Sequence, residues 1–289
     1  MRTSSKNVTP DSEVLDSKTQ DMDTPGSAAR QPGVFSRFCY RIIYPLVWLF
    51  HPKMQTVGLE NLPNEPCILV GNHSQMYGPI SGEIFFPHHD RKHLYIWCTA
   101  EMMHLKEVPA YAYQDFWSGK PVWIRWLYRI ASYLIAPISV CVFTNAHTIP
   151  VYRDRRVLDT IKETCARLSE GYSVLIFPEC YTPHNQIVHE FQEGFVDTAK
   201  RYWRASGKAV CFVPLYIAPK LRRMYVGQPV RYDPSAPAKE ERQRICEAMM
   251  DGLTQIATSL PRHRVVPYPN IFKRDYPYNT SEADPSANK

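Results

Sequence analysis

The stretch "LVGNHSQMYGPISG", residues 69–82, decides how the chain is read. A short apolar run of β type ends at Gly71, and two polar side chains, Asn72 and His73, follow at once. A histidine at a strand end is ambiguous by itself: it can cap local backbone or stand ready as a base, because its ordinary pKa lies close to neutrality. What surrounds it along the chain has to separate the two readings.

Moving outward, "RRVLDTIKETCARLSEG" (155–171) places Val157, Leu158, Ile161, Cys165 and Leu168 on one helical face and stops at Gly171. "YSVLIFPE" (172–179) reads as a buried strand, a helix is expected around 191–205, "AVCFVPLYI" (209–217) reads as another strand, and an amphipathic helix is expected over 238–259. Strands alternating with helices predict an α/β fold with a mostly parallel central sheet flanked by helices. In such a sheet ligands bind beyond the carboxyl ends of the strands. That rule gathers the polar stops of three strands: Asn72 and His73, then Arg153 after "HTIPVY", then Glu179 after "LIFP".

The chain has 289 residues, 44% hydrophobic and 21% charged, enough for one large core, and carries a formal net charge of +6. A basic balance favours anionic partners such as a phosphorylated metabolite or an anionic membrane surface. The cluster Lys220, Arg222, Arg223 and Arg231 has no nucleic-acid module around it, so no nucleic-acid partner is expected. Eight scattered cysteines show no metal-ligand spacing and read as buried thiols in a reducing compartment; no metal or organic cofactor is expected. Cys180 is read likewise as a structural thiol rather than a nucleophile.

Residues 1–33 are polar and poor in large hydrophobes and are expected to be a disordered tail with no secretory signal; 276–289 are expected to be a flexible C-terminal tail. The domain between them, 34–275, opens with "FSRFCYRIIYPLVWLFHP" (35–52). This run is too short to span a bilayer and suits an interfacial helix over 34–53, with Arg37 and Arg41 towards lipid phosphate; a helix docked on the core is the other reading. "VWIRWLYRIASYLIAPISVCVF" (122–143) is interrupted by Arg125, Arg129 and Pro137 and is read as buried or shallowly embedded rather than spanning.

Five ordered blocks over roughly 54–230 resemble the glycerolphosphate and lysophosphatidic acid acyltransferase family: "VGLENLPNEPCILVGNH", "IPVYRD", "GYSVLIFPE", "FQEGFVDTA" and "FVPLYI". The resemblance implies transfer of a fatty acyl group from acyl-CoA or acyl carrier protein to a lysophospholipid or glycerol-phosphate hydroxyl, at the cytoplasmic face of a membrane. It implies His73 as general base, Glu179 as a second catalytic group, and Asn72, Arg153 and Pro178 as substrate-binding residues. Two departures stand out. The family's motif places an aspartate five residues after the histidine, where this chain has Gly78; Glu83, Glu179 or a backbone carbonyl are candidate substitutes. After "FPE" the usual glycine and arginine are Cys180 and Thr182, leaving His184, His189 or Lys220 to meet a phosphate. A catalytically impaired lipid-binding protein is the alternative reading, and a thioester hydrolase a third.

Overall fold

The strand that ends at His73's doorstep, β2 (Cys67–Gly71), is buried along its whole length, as a strand flanked on both sides and both faces must be. The computed structural model describes residues 33–87 and 94–280. In chain order the elements are α1 (Val34–Phe50), β1 (Gln55–Val57), β2, α2 (Tyr77–Phe85), β3 (Tyr95–Thr99), α3 (Val108–Ala112), α4 (Arg125–Asn145), β4 (Thr148–Val151), α5 (Val157–Ser169) and β5 (Val174–Ile176). There follow β6 (Glu179–Pro183), β7 (His189–Phe191), α6 (Asp197–Ser206), β8 (Cys211–Ala218), β9 (Arg223–Val226), β10 (Val230–Arg231) and α7 (Ala238–Ser259).

Eight strands form one sheet in the order β1-β9-β8-β2-β5-β3-β4, with β10 also on β8. Pairings β1–β9, β8–β2, β2–β5, β5–β3 and β3–β4 are parallel, and β8 meets β9 and β10 antiparallel. The expected α/β class with a mostly parallel sheet is what the chain adopts. One face of the sheet packs against α5, α6 and α7 through Ile161, Leu168, Ala199, Ile245, Met249 and Leu253. The other face is covered by a smaller cluster that includes Leu69, Phe86, Leu94, Leu175 and Val213. At roughly 25 cal/mol per Å² of apolar surface removed from water, this two-sided burial is the main stabilising term.

Some expectations shift. The strand read over 172–179 is shorter: β5 ends at Ile176, and Glu179 starts β6, which pairs with β7 as a separate hairpin. The helix expected from 191 begins at Asp197, because Glu193–Val196 is a 3-10 turn and Phe191 belongs to β7. Residues 276–280, expected to open a flexible tail, are packed: Tyr276 and Asn279 are buried. The remainder of that tail, 281–289, and the tail expected over 1–33 apart from Gly33 lie outside the described residues. All eight cysteines are free thiols.

The helix expected over 34–53 forms as α1, with no buried residue. It lies along α4, where the Cys141 thiol donates to the Ser36 carbonyl and Asn145 Nδ2 to Ser36 Oγ. Both helices turn large apolar side chains outward, with Phe50 of α1 80% and Tyr133 of α4 71% exposed. The segment Val122–Asn145 is by length and composition apolar enough to cross a membrane.

Candidate active site

Because β2, β5, β3 and β4 run parallel, their carboxyl ends share one edge of the sheet. There the structure brings together His73 beyond β2, Phe177 and Glu179 beyond β5, and Arg153 beyond β4. The edge-sharing expected from the strand stops is therefore present, but the roles are distributed differently.

His73 is held by its neighbours' rings rather than by a polar partner. Phe177 lies edge-on at 5.4 Å between centroids and Tyr268 at 5.2 Å. Its Nδ1 is sealed from solvent and has no hydrogen-bond partner. Burial in this apolar sandwich pushes the imidazole down to about 4, an effect its own main-chain carbonyl only partly offsets. The ring is thus neutral at pH 7, able to accept a proton but without an anion to stabilise the imidazolium it would form.

None of the carboxylates considered for that task reaches the ring. Glu83 on α2 bonds the His147 ring at 3.2 Å, at the amino end of β4 rather than the carboxyl one. Glu179, only 3% exposed, accepts the main-chain N–H groups of His73 (2.9 Å) and His189 (3.2 Å). It therefore fixes the turn that carries His73 and ties it to the β6–β7 hairpin, a positioning role in place of the catalytic one expected. Burial pushes its carboxyl up to about 7, with the two N–H donors pulling the other way.

Gly78 has its own packing reason. A Cβ there would meet the Phe177 ring at 3.0 and 3.1 Å, and one at Gly71 would meet the same ring at 2.7 Å. The two glycines make the seat for Phe177, which in turn walls His73, so a carboxylate at 78 would compete with this ring for space. The nearest polar atom to that position is Ser74 Oγ, at 3.4 Å, itself buried and unpartnered. Gln75, next along, sits at φ +51° and leaves Nε2 unpartnered. Three consecutive residues with unsatisfied buried polar atoms are far denser than the few per hundred residues typical of native proteins.

Two expected substrate-binding residues turn inward. Asn72 is buried and spends both ends of its amide on β8, with Nδ2 donating to the Ile217 carbonyl at 3.1 Å and Oδ1 accepting the Ile217 N–H at 2.6 Å. It extends the β2–β8 ladder by a side chain. Pro178 is buried and its carbonyl accepts the Gln192 N–H at 2.9 Å, so it shapes the bend into β6. Arg153 is different: it is exposed and, among the described residues, makes no ion pair or hydrogen bond. Its charge acts on Glu101, Tyr111, Asp115 and Tyr268. Of the substitutes considered for the missing arginine, His184 is engaged with Glu190 at 3.1 Å, whereas His189 lies beside Tyr268 at 6.1 Å.

Sequence reasoning missed Phe177 as a wall of the site and Tyr268 altogether. The glycines at 71 and 78 are a signal for the first, since a missing Cβ at the end of a strand and again in the helix that follows can mark a ring packed over both. Among the described residues no group of His, Cys, Asp or Glu is arranged to hold a metal ion.

Neither protein-family models nor curated proteins yield a match to this chain. Among solved structures, the crystal structure of the 1-acyl-sn-glycerophosphate (LPA) acyltransferase PlsC from Thermotoga maritima aligns over 76% of this chain and 80% of its own, at 14% identity and a TM-score of 0.43. The fold and site described above rest on this chain's own geometry.

Proposed function

We propose that the protein is an acyltransferase that moves a fatty acyl group from an acyl thioester, acyl-CoA or acyl carrier protein, to the hydroxyl of a lysophospholipid or glycerol phosphate. The observation that carries this reading is a neutral imidazole and an unpaired guanidinium on one sheet edge, His73 and Arg153, with Tyr268 against the ring of the first and under the charge of the second. Arginine recognises phosphate through a planar fork of donors, so Arg153 would hold the acceptor's phosphate while its hydroxyl reaches His73. The hydroxyl oxygen attacks the thioester carbonyl as His73 takes its proton. The C–S bond then breaks, and the proton passes to the departing thiolate.

The test is turnover of a labelled acyl thioester with a panel of lysolipids. His73→Ala should lower kcat by about a thousandfold or more, and Arg153→Ala should raise KM for phosphorylated acceptors more than it lowers kcat. The unpartnered Nδ1 favours a second reading, an acyltransferase-like lipid-binding protein; lysolipid binding without turnover, unaltered in His73→Ala, would establish it in place of the first.

The same reading places the chain at the cytoplasmic face of a membrane, peripheral or shallowly embedded in an anionic surface. Support comes from the outward apolar side chains of α1 and α4, among them Phe35, Phe38, Leu49, Trp126, Tyr133 and Leu134, each more than half exposed. Replacing Trp126 and Leu134 by Glu should release the protein from anionic vesicles in a flotation assay; full retention would move the contact elsewhere.

A further inference from the structure

Residues 263–279 leave the end of α7 and return to it as a closed loop. Arg264 and Tyr278 form an antiparallel bridge, Val265 N–H donates to the Pro277 carbonyl at 2.8 Å, and Asn279 N–H to that of His263 at 3.1 Å. The base is fixed to the sheet by His263: its Nδ1 sits 2.8 Å from the Pro261 carbonyl and can only donate there, so its Nε2 accepts from the Tyr216 hydroxyl on β8 at 2.9 Å. The 15 residues between His263 and Asn279, with their ends joined, make an Ω-type loop, a class frequently functional.

Its span is laid over the carboxyl edge of the sheet and touches it at separate points. The Tyr276 hydroxyl donates to Gln75 Oε1 at 3.3 Å, and Asn270 Nδ2 to the Phe116 carbonyl at 3.4 Å. Tyr268 meets His73 at 5.2 Å, Tyr181 on β6 at 5.1 Å and His189 on β7 at 6.1 Å. Pro267 and Pro269 flank it, which fixes the backbone on both sides and delivers the ring on a stiff support. Burial, with Tyr181 and Asp115 adding to it and Arg153 opposing, pushes the phenol up to about 12, so it stays a neutral donor.

We propose that this loop is the cover of the acyl-transfer cleft and that Tyr268 is its specificity-determining residue, admitting acceptors with a compact anionic headgroup and rejecting those whose phosphate carries a bulky extension. The inference rests on the acyltransferase reading. An acceptor spanning His73 and Arg153 passes along Tyr268, and a substituent beyond the phosphate has to displace its ring. An aromatic cage for a quaternary ammonium would have the same residue types, but it needs rings held apart around the cation. Here Tyr268 and Tyr181 are already in contact, which leaves no room between them.

The test compares wild type, Tyr268→Ala and Tyr268→Phe, as full chains, on two lysolipids of equal acyl length, one a phosphomonoester and one with a choline headgroup. Both kcat/KM and Kd are measured. Wild type should prefer the phosphomonoester, Tyr268→Phe should keep that preference within about twofold, and Tyr268→Ala should erode it by about tenfold, a change of about 1.4 kcal/mol. A preference unchanged in Tyr268→Ala, or a wild type that prefers the choline lipid, overturns the assignment. Absence of turnover in every variant removes the transferase reading alone, because the ratio of the two Kd values still decides the role of Tyr268.

Discussion

The C-terminal loop joins two groups of buried polar atoms that are treated in opposite ways. At its base Asn279 uses its whole amide: Oδ1 accepts the His263 N–H at 2.7 Å, and Nδ2 donates to the carbonyls of Ala257 at 2.8 Å and Leu260 at 3.2 Å. His263 is satisfied at both ring nitrogens. Beneath the tip of the same loop, His73 Nδ1, Ser74 Oγ and Gln75 Nε2 have no partner. A buried polar atom left unpaired costs about 1–3 kcal/mol, so the base of the loop stabilises the fold and the ground beneath its tip weakens it. Departures from full satisfaction are expected where a site must meet something other than the protein itself.

Breaking the satisfied end should have the largest effect. Asn279→Ala would strand the His263 N–H and the Leu260 carbonyl in the interior and strip a second donor from the Ala257 carbonyl, a loss of about 3–5 kcal/mol. Urea denaturation should show this as a lower midpoint, with the 263–279 amides losing their hydrogen-exchange protection first. A loss below about 1 kcal/mol would mean that water reaches the base and the contrast between the two ends is false.

Next comes the carboxylate that supports the tip. In the folded chain Glu179 titrates at about 7 against 4.5 when free, so between these values the native state binds the extra proton. Stability from this group is therefore full below about pH 4.5 and is lost as pH rises through 7, by about 3 kcal/mol in all. Glu179→Gln cannot titrate and should flatten that slope in denaturation curves taken at pH 5 and pH 8. An equal slope in both proteins would show that Glu179 is ionised throughout, held so by its two N–H donors.

Much of the sheet was legible because its strands are apolar runs cut by Gly, Pro or a polar pair, and α7 was read at the bounds it adopts, Ala238–Ser259. The β6–β7 hairpin was not, since "ECYTPHNQIVHEF" has neither alternation nor a glycine turn; its geometry comes from Asn185, whose Oδ1 accepts the N–H groups of Ile187 and Val188. Tyr276 and Asn279 sit in a polar, proline-containing stretch whose order comes from burial against distant residues, a tertiary effect invisible to local pattern. His73 and Arg153 could be named as strand stops, but a stop does not say which way a side chain points. Asn72 and Pro178 stand at the same edge and face the protein instead. Tyr268 had no pattern to mark it apart from the two prolines beside it.

The smallest expected effect is the sharpest probe of the contrast. Ser74 and Ser139 are both buried serines, but Ser139 Oγ donates to the Met102 carbonyl at 3.0 Å, whereas Ser74 Oγ has no partner. Serine to alanine deletes one oxygen and leaves the backbone path open, so the two substitutions differ mainly in whether a hydrogen bond goes with it. Ser139→Ala should cost about 1 kcal/mol, the net worth of a neutral bond plus a stranded carbonyl. Ser74→Ala should be neutral or stabilising by up to about 1 kcal/mol, because an unsatisfied hydroxyl disappears from the interior. The comparison is read as a difference in thermal midpoints between the two variants, with wild type between them. If Ser74→Ala is instead as damaging as Ser139→Ala, its hydroxyl is bonded in solution and the ground beneath Tyr268 is as well satisfied as the base of the loop.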